Sequence, residues 1–281
     1  MPLRIAAIRF LNSAPLMWDF EHPPLAAALT HTYQLDYTNP AQCAANVLAG
    51  RADLGLLPIA ALTPDLAIVP GCTVASLDHV RSIQIIVKQP HTLETLRTIA
   101  GDTASMSSIA YAQILFRKFL NTRPDFLPAS ADPIAMLRHA DAALLIGDPA
   151  LLALEARDQI EQAVGPCDWF DLAHEWNLRT GLPWVAAVWA MRPESLAASG
   201  LTPQQLTADL ATSRDHGLAH IDQLVAEWKG RIALPPETIH AYLSRNIHYF
   251  LDDRCLESIR CFRQYAAEAD ILPPLTALSI L

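Results

Sequence analysis

Glycine is scarce in this chain, 10 residues in 281. With so little of it, the sequence offers no phosphate-cradling glycine loop, and it also lacks a GxSxG nucleophile elbow. The five cysteines, at 43, 72, 167, 255 and 261, are odd in number and never fall at CxxC spacing. Neither a disulfide framework nor a zinc ribbon is therefore expected. Apolar runs are short as well: none approaches the roughly 18 uninterrupted residues of a membrane helix, and Arg9 interrupts the opening MPLRIAAIRF before it reaches signal-peptide length. A reducing cytoplasm is the expected compartment, with no membrane partner. Basic charge is deficient, 20 Lys and Arg against 29 Asp and Glu for a formal net charge of -9. Without a basic cluster, no nucleic-acid partner is expected. A small molecule fits better, an anion included, because N–H groups at helix starts hold carboxylates whatever the net charge.

What the chain does have is apolar substance, 52% of its residues, enough for one large or two modest cores. LRIAAIRF, YQLDYT, LAIVPG, RSIQIIV and AALLIG read as buried strands. Helix starts are marked by a capping residue followed by proline at Asn39-Pro40, Asp132-Pro133, Asp148-Pro149 and Thr202-Pro203, and Gly50 closes the helix that begins near Pro40. This alternation predicts an α/β protein with largely parallel sheets. From Thr202 onward the pattern predicts long helices with no strand between them. No Gly/Ser linker occurs, so ordered strands are expected to cross between lobes, with RSIQIIVK near 82–88 and WVAAVWAMR near 184–192 as the candidates. That organisation makes 1–87 plus 188–281 one discontinuous lobe and 88–187 an inserted second lobe, with the ligand in the cleft between them.

Polar punctuation follows the apolar strands at Asn12-Ser13, at Val80-Arg81-Ser82, at TASMSS (103–108) and at Gly147-Asp148. Singly, Asn12, Ser13, Ser107, Ser108 and Asp148 are all preferred helix caps. Their common placement at strand ends points to one cleft instead. Other constellations are weaker. His216 and His220 stand four apart on a predicted helix, but with no carboxylate or cysteine at ligand spacing a solvated face is the expectation. His174-Glu175 lacks the second histidine of a zincin, and Glu175 falls in the first turn of a helix capped by Asp171. No metal and no organic cofactor are expected. Trp176, Trp184 and Trp189 gather near the second crossing, as core or cleft wall.

FLNSAPL, RADLGLLPIAAL (51–62), VRSIQIIV (80–87), ALLIGDPAL (143–151) and DLAHEWNLRTGLPWVAAVWA (171–190) together resemble the menaquinone-biosynthetic chorismate dehydratases of the futalosine pathway. The resemblance covers about two thirds of the chain. It implies a two-lobed periplasmic-binding-protein-like (type 2) fold with a helical C-terminal tail, working as a cofactor-free cytoplasmic hydro-lyase on chorismate. It also implies catalytic roles for Asn12 and Ser82, with Ser105, Ser107, Ser108, Gly147 and Asp148 around the substrate. The family's hydroxyl-rich loop carries a basic or amide residue followed by Thr-Ser, from which Met106 and Ser107 depart. The Cys-Pro-Asn-Asp type opening of the sister enzyme acting on cyclic dehypoxanthine futalosine is missing. A non-catalytic small-carboxylate sensor of the same fold is the alternative.

Overall fold

The opening hexapeptide is buried everywhere except Arg4, whose guanidinium pairs with Asp53 at 2.7 Å, and it becomes the first strand of a computed structural model that describes residues 2–275 and 277–281. In chain order, β1 (Leu3–Ile8), β2 (Tyr33–Thr38), β3 (Leu54–Pro58) and β4 (Ala67–Ser76) belong to a first sheet. β5 (Ile83–Lys88), β6 (Thr98–Asp102), β7 (Asp125–Ala129), β8 (Ala142–Ile146) and β9 (Cys167–Asp171) form a second. β10 (Trp184–Met191), β11 (His248–Leu251) and β12 (Ser279–Ile280) return to the first. The orders are β11-β4-β10-β3-β1-β2, with β12 also on β4, and β7-β6-β8-β5-β9.

The sheets are mixed, not largely parallel. β5 runs antiparallel to β8 and β9, and β10 antiparallel to β3 and β4, because these are the strands on which the chain arrives from the other lobe. Neither strand crosses between lobes. Each is paired along its length within one sheet, so the passages lie just before them, at 77–82 and 181–183. The tail is not purely helical either: β11 pairs with β4 between the helices Pro236–Ala241 and Asp253–Glu268.

Side-chain alternation explains why the central strands read as unbroken apolar runs. Ile85, Val87 and Leu144 face the main core, while Ile86, Ala143 and Leu145 face a second core under the outer helices. Both faces are covered, as expected of central strands in a layered α/β protein. Three of the cap-proline signals behave as read: Asn39, Asp132 and Thr202 each accept a hydrogen bond from the backbone N–H three residues on. Gly50, at φ +71°, follows the helix begun by Pro40. Among the described residues no helix is long and apolar enough to cross a membrane.

One tail contact bears directly on the cleft. Helix Pro203–Ala219 lies across the 3-10 segment Leu11–Met17: Ser213 Oγ donates to Leu16 O at 2.9 Å and accepts from Asp19 N at 3.0 Å. His216 and His220 belong to this clamp and do not form a metal pair, His216 being bonded to the buried Asp19 and His220 stacked on Trp18.

Candidate active site

Strands of both sheets end at one cleft. Ile8 ends β1, Pro58 ends β3 and Ile146 ends β8, and all three line it; the loop after β6 adds Ser105, Met106, Ser107 and Ser108. This is the expected ligand position in an α/β sheet, outside the carboxyl ends of strands. Asn12, Gly147 and Trp184 also line the cleft, and no charged side chain of the described residues does.

Asn12 reaches this place because β1 turns at Phe10 into the 3-10 segment. No side chain caps that segment, so the capping reading fails for Asn12 and Ser13 alike. Ser13 Oγ lies 2.5 Å from Ile8 O and 2.8 Å from Phe10 O, committing its single proton to the strand end. Asn12 is left facing the cleft.

The second lobe approaches closely here. Gly147 adopts φ +60°, and a Cβ on it would come within 2.7 Å of the Phe10 ring. Asp148 does not cap the helix Gly147–Glu155. Its Oδ1 accepts from Leu11 N at 3.0 Å, across the cleft, so it fastens the helix to the segment that carries Asn12. Burial pushes the Asp148 carboxyl up to about 6, while the Leu11 N–H draws it down. A value above the ordinary carboxylate range of about 3.9 means that the folded chain holds this proton more tightly than the unfolded one. The associated stability is full below about pH 4 and is lost as pH rises through the folded value. Asp148→Asn should therefore gain in unfolding free energy on the parent between about pH 4 and about pH 7, by up to about 3 kcal/mol. Denaturant unfolding of both proteins at the two pH values measures this, and a pH-independent difference would assign the titration to another group.

In the 105–108 loop the hydroxyls are not equivalent. Ser107 Oγ donates to Ala186 O at 3.1 Å and accepts from Ala60 N at 3.2 Å, stitching helix Ser107–Ile114 to the first lobe. Ser105 Oγ is buried with no partner, and Ser108 faces the cleft. Met106 at the N-cap supplies no side-chain acceptor, so the first-turn N–H groups of this helix stay available at the cleft rim.

Ser82 and Asp148 stand behind the lining. Ser82 O accepts from Gly147 N at 2.7 Å, and Arg81 before it adopts φ +65°, held by its N–H on Asp171 at 2.6 Å. Ser82 Oγ is buried with no partner. Beside it lies a residue that nothing local in the sequence marks, Tyr242 of the π-helical turn Tyr242–Asn246. Burial pushes its phenol far above its ordinary range; the Ser82 side chain lowers it, the Asp148 charge raises it and the Asn12 side chain lowers it. Ser82, Asp148 and Asn12 thus lie around the Tyr242 phenol, whose Oη makes no hydrogen bond. Trp184 Nε1 is likewise unpartnered, as is that of the core residue Trp189, whereas Trp176 Nε1 donates to Ser258 Oγ. Asp171 caps the helix of His174 and Glu175 through Ala173 N and His174 N, as the sequence suggested.

Buried unpaired polar groups are rare in native proteins; of the nine here, Ser105 and Trp184 line this cleft and Ser82 and Tyr242 lie behind it, while Thr122, Trp189, His248, Tyr249 and Arg263 lie elsewhere. A family model described as menaquinone biosynthesis matches residues 3–268. The chain belongs to this family. A curated relative in Thermus thermophilus, named chorismate dehydratase, is 27% identical over 209 residues, 71% of this chain and 73% of the relative. The fold is that of periplasmic binding proteins. The periplasmic aliphatic sulphonate binding protein of Escherichia coli superposes with a TM-score of 0.65 at 16% identity, covering 100% of this chain and 93% of that one. A Candida albicans protein described as having the generic periplasmic binding protein fold gives 0.65 at 12% identity, covering 98% and 92%. Within this menaquinone-biosynthesis family member, the cleft has largely apolar walls to which Asn12, Ser105, Ser107, Ser108 and Trp184 add neutral polar groups.

Proposed function

We propose that this protein is a cytoplasmic chorismate dehydratase, a hydro-lyase that removes water from chorismate to give 3-[(1-carboxyvinyl)oxy]benzoate for menaquinone synthesis by the futalosine route. The observation that carries the reading is the family membership, joined to a cleft at the strand ends that Asn12, Ser105, Ser108 and Trp184 line and no charged side chain of the described residues enters. Chorismate is a dianion. The free first-turn N–H groups of helix Ser107–Ile114, with Ser105 and Ser108, are placed to receive a carboxylate.

In the reaction, the C–H bond beside the enol ether breaks, its electron pair enters the ring, and the neighbouring C–O bond breaks to release hydroxide. The base's proton and this hydroxide make water, and aromatisation drives the sum. Removing that hydrogen spreads negative charge onto the ring carboxylate, so donors aimed there bind the transition state more strongly than the ground state. Asn12 holds the departing hydroxyl in line. Ser82 and Tyr242, behind the wall, position it, and the lobes close about the passages at 77–82 and 181–183.

No imidazole or carboxylate side chain lines the cleft, and Asp148 already holds Leu11 N. The base is therefore the substrate's own enolpyruvyl carboxylate, which hangs from the carbon that loses its hydrogen and is made more basic by desolvation.

Purified protein incubated with chorismate should generate the aromatic product, followed by absorbance. Saturable chorismate binding without turnover would instead favour a carboxylate sensor. Asn12→Ala should lower kcat at least about tenfold, about 1.4 kcal/mol of barrier, with stability nearly unchanged because Asn12 caps nothing. Parental turnover in this variant would remove it from the site. Tyr242→Phe removes an unpartnered buried hydroxyl, so its melting point should stay level or rise while kcat falls. Unchanged kinetics would make Tyr242 core packing only.

A further inference from the structure

His174 takes no part in the cleft, yet it does not stand alone. Its Nδ1 lies 2.6 Å from one carboxylate oxygen of Asp78, and His79 Nδ1 lies 3.0 Å from the other. The two imidazoles stack with centroids 4.0 Å apart and planes 19° apart, so both turn a nitrogen to the same carboxylate. The His174 contact is a hydrogen bond, and since a carboxylate only accepts, His174 Nδ1 is the donor in it. Hydrogen bonding from His174, with His79 adding to it, holds the Asp78 carboxyl below its ordinary range and keeps it ionised.

The backbone under the trio is fixed by three hydrogen bonds to two residues. His79 O accepts from Asn246 Nδ2 at 3.0 Å, and Asp171 takes both His174 N, at 3.3 Å, and Arg81 N, at 2.6 Å. The side chains themselves are accessible, with His174, His79 and Asp78 37%, 51% and 58% exposed. One ligand atom from each lies within 4.8 Å of the other two. Tetrahedral zinc, with bonds of about 2.0–2.1 Å, needs its ligand atoms roughly 3.4 Å apart. Reaching that separation requires the two stacked imidazoles to fan apart by rotation about χ1 and χ2, and their exposure leaves them room to do so.

We propose that Asp78, His79 and His174 form a surface site for a divalent ion of the zinc class, separate from the cleft. The two imidazole nitrogens and one carboxylate oxygen ligate the ion in their neutral and ionised forms, and water completes the tetrahedron. Its position has a structural consequence. Asp78 and His79 lie on the passage at 77–82 from the first sheet to the second, while His174 lies on the helix Leu172–Thr180 beside β9, so the bound ion fastens the passage that leads into Ser82. A second trio, His248, Asp252 and Cys255, is less suited: Cys255 is buried, its thiol is pushed up to about 12 by burial, and Asp252 caps the helix Asp253–Glu268.

The test is titration of the tag-free, chelator-stripped full chain with ZnCl₂ against a chromophoric zinc indicator, with melting points recorded alongside. One ion per chain should bind saturably in the low micromolar range or tighter, and saturation should raise the melting point. His79→Ala and His174→Ala should each weaken binding by more than about tenfold, the loss that even an outer partner of a metal ligand commonly brings, and should abolish the thermal shift. Cys255→Ser should change neither. Absence of saturable binding, retention of it in the doubly substituted His79→Ala/His174→Ala chain, or its loss in Cys255→Ser would overturn the assignment. None of these readouts depends on chorismate turnover.

Discussion

Gly217→Ala, the addition of one methyl group, should destabilise the protein by about 3 kcal/mol or more and abolish activity with it. A Cβ at Gly217 would lie 2.1 Å from Pro15 O and 2.5 Å from Pro15 Cα. These are backbone atoms, so no rotamer change relieves the clash. Ser213, one turn earlier on the same helix face, bonds Leu16 O and Asp19 N and pins the same segment. Helix and segment must therefore separate, and Asn12 moves with the segment. In a chain of this size the loss lowers Tm by several degrees. Calorimetry of parent and variant decides it, and parental stability in Gly217→Ala would show that the two backbones have slack.

A chorismate analogue whose enolpyruvyl carboxylate is replaced by a neutral amide should occupy the cleft and undergo no dehydration. Lining side chains offer hydroxyl, amide and indole groups, none of which accepts a proton at neutral pH. If the substrate carboxylate is the base, the amide removes it without altering its shape, and the donors that hold the ring carboxylate keep their partner. Binding is read by competition with chorismate and turnover by absorbance of the aromatic product. Full-speed dehydration of the amide would end the substrate-assisted reading. Asp148→Asn, folded but inactive on chorismate, would transfer the role to that aspartate.

The elements that were legible are those whose causes are local. Asn39, Asp132 and Thr202 accept from N–H groups three residues away, and the apolar runs of β1, β5 and β8 come from strands covered on both faces. β7, β9 and β11, all sheet edges, went unread, as did the interior β3 and β6, whereas the edge strand β2 was read from YQLDYT. An edge strand has one neighbour and a wet side, so its sequence, as in CDWFD or HYFL, lacks a continuous apolar signature. The Asp148-Pro149 pair has the same local form as the three true caps. What separates it is Leu11 N, 137 residues away, which offers the carboxylate a partner across the cleft.

By itself, then, the sequence determined an α/β chain of alternating apolar strands and capped helices, lacking a membrane-length apolar run, with polar residues set where strands end. Periodicity and capping act over a few residues, and composition acts on the whole chain, so neither needs the fold to be known. Tertiary structure alone decided which of those polar groups are free. Ser107 is occupied by Ala186 and Ala60 while Ser105 is not, and Tyr242 arrives beside Ser82 from the far end of the chain. Whether a buried hydroxyl is already satisfied depends on atoms brought to it by folding, and an unsatisfied one costs free energy until a ligand meets it.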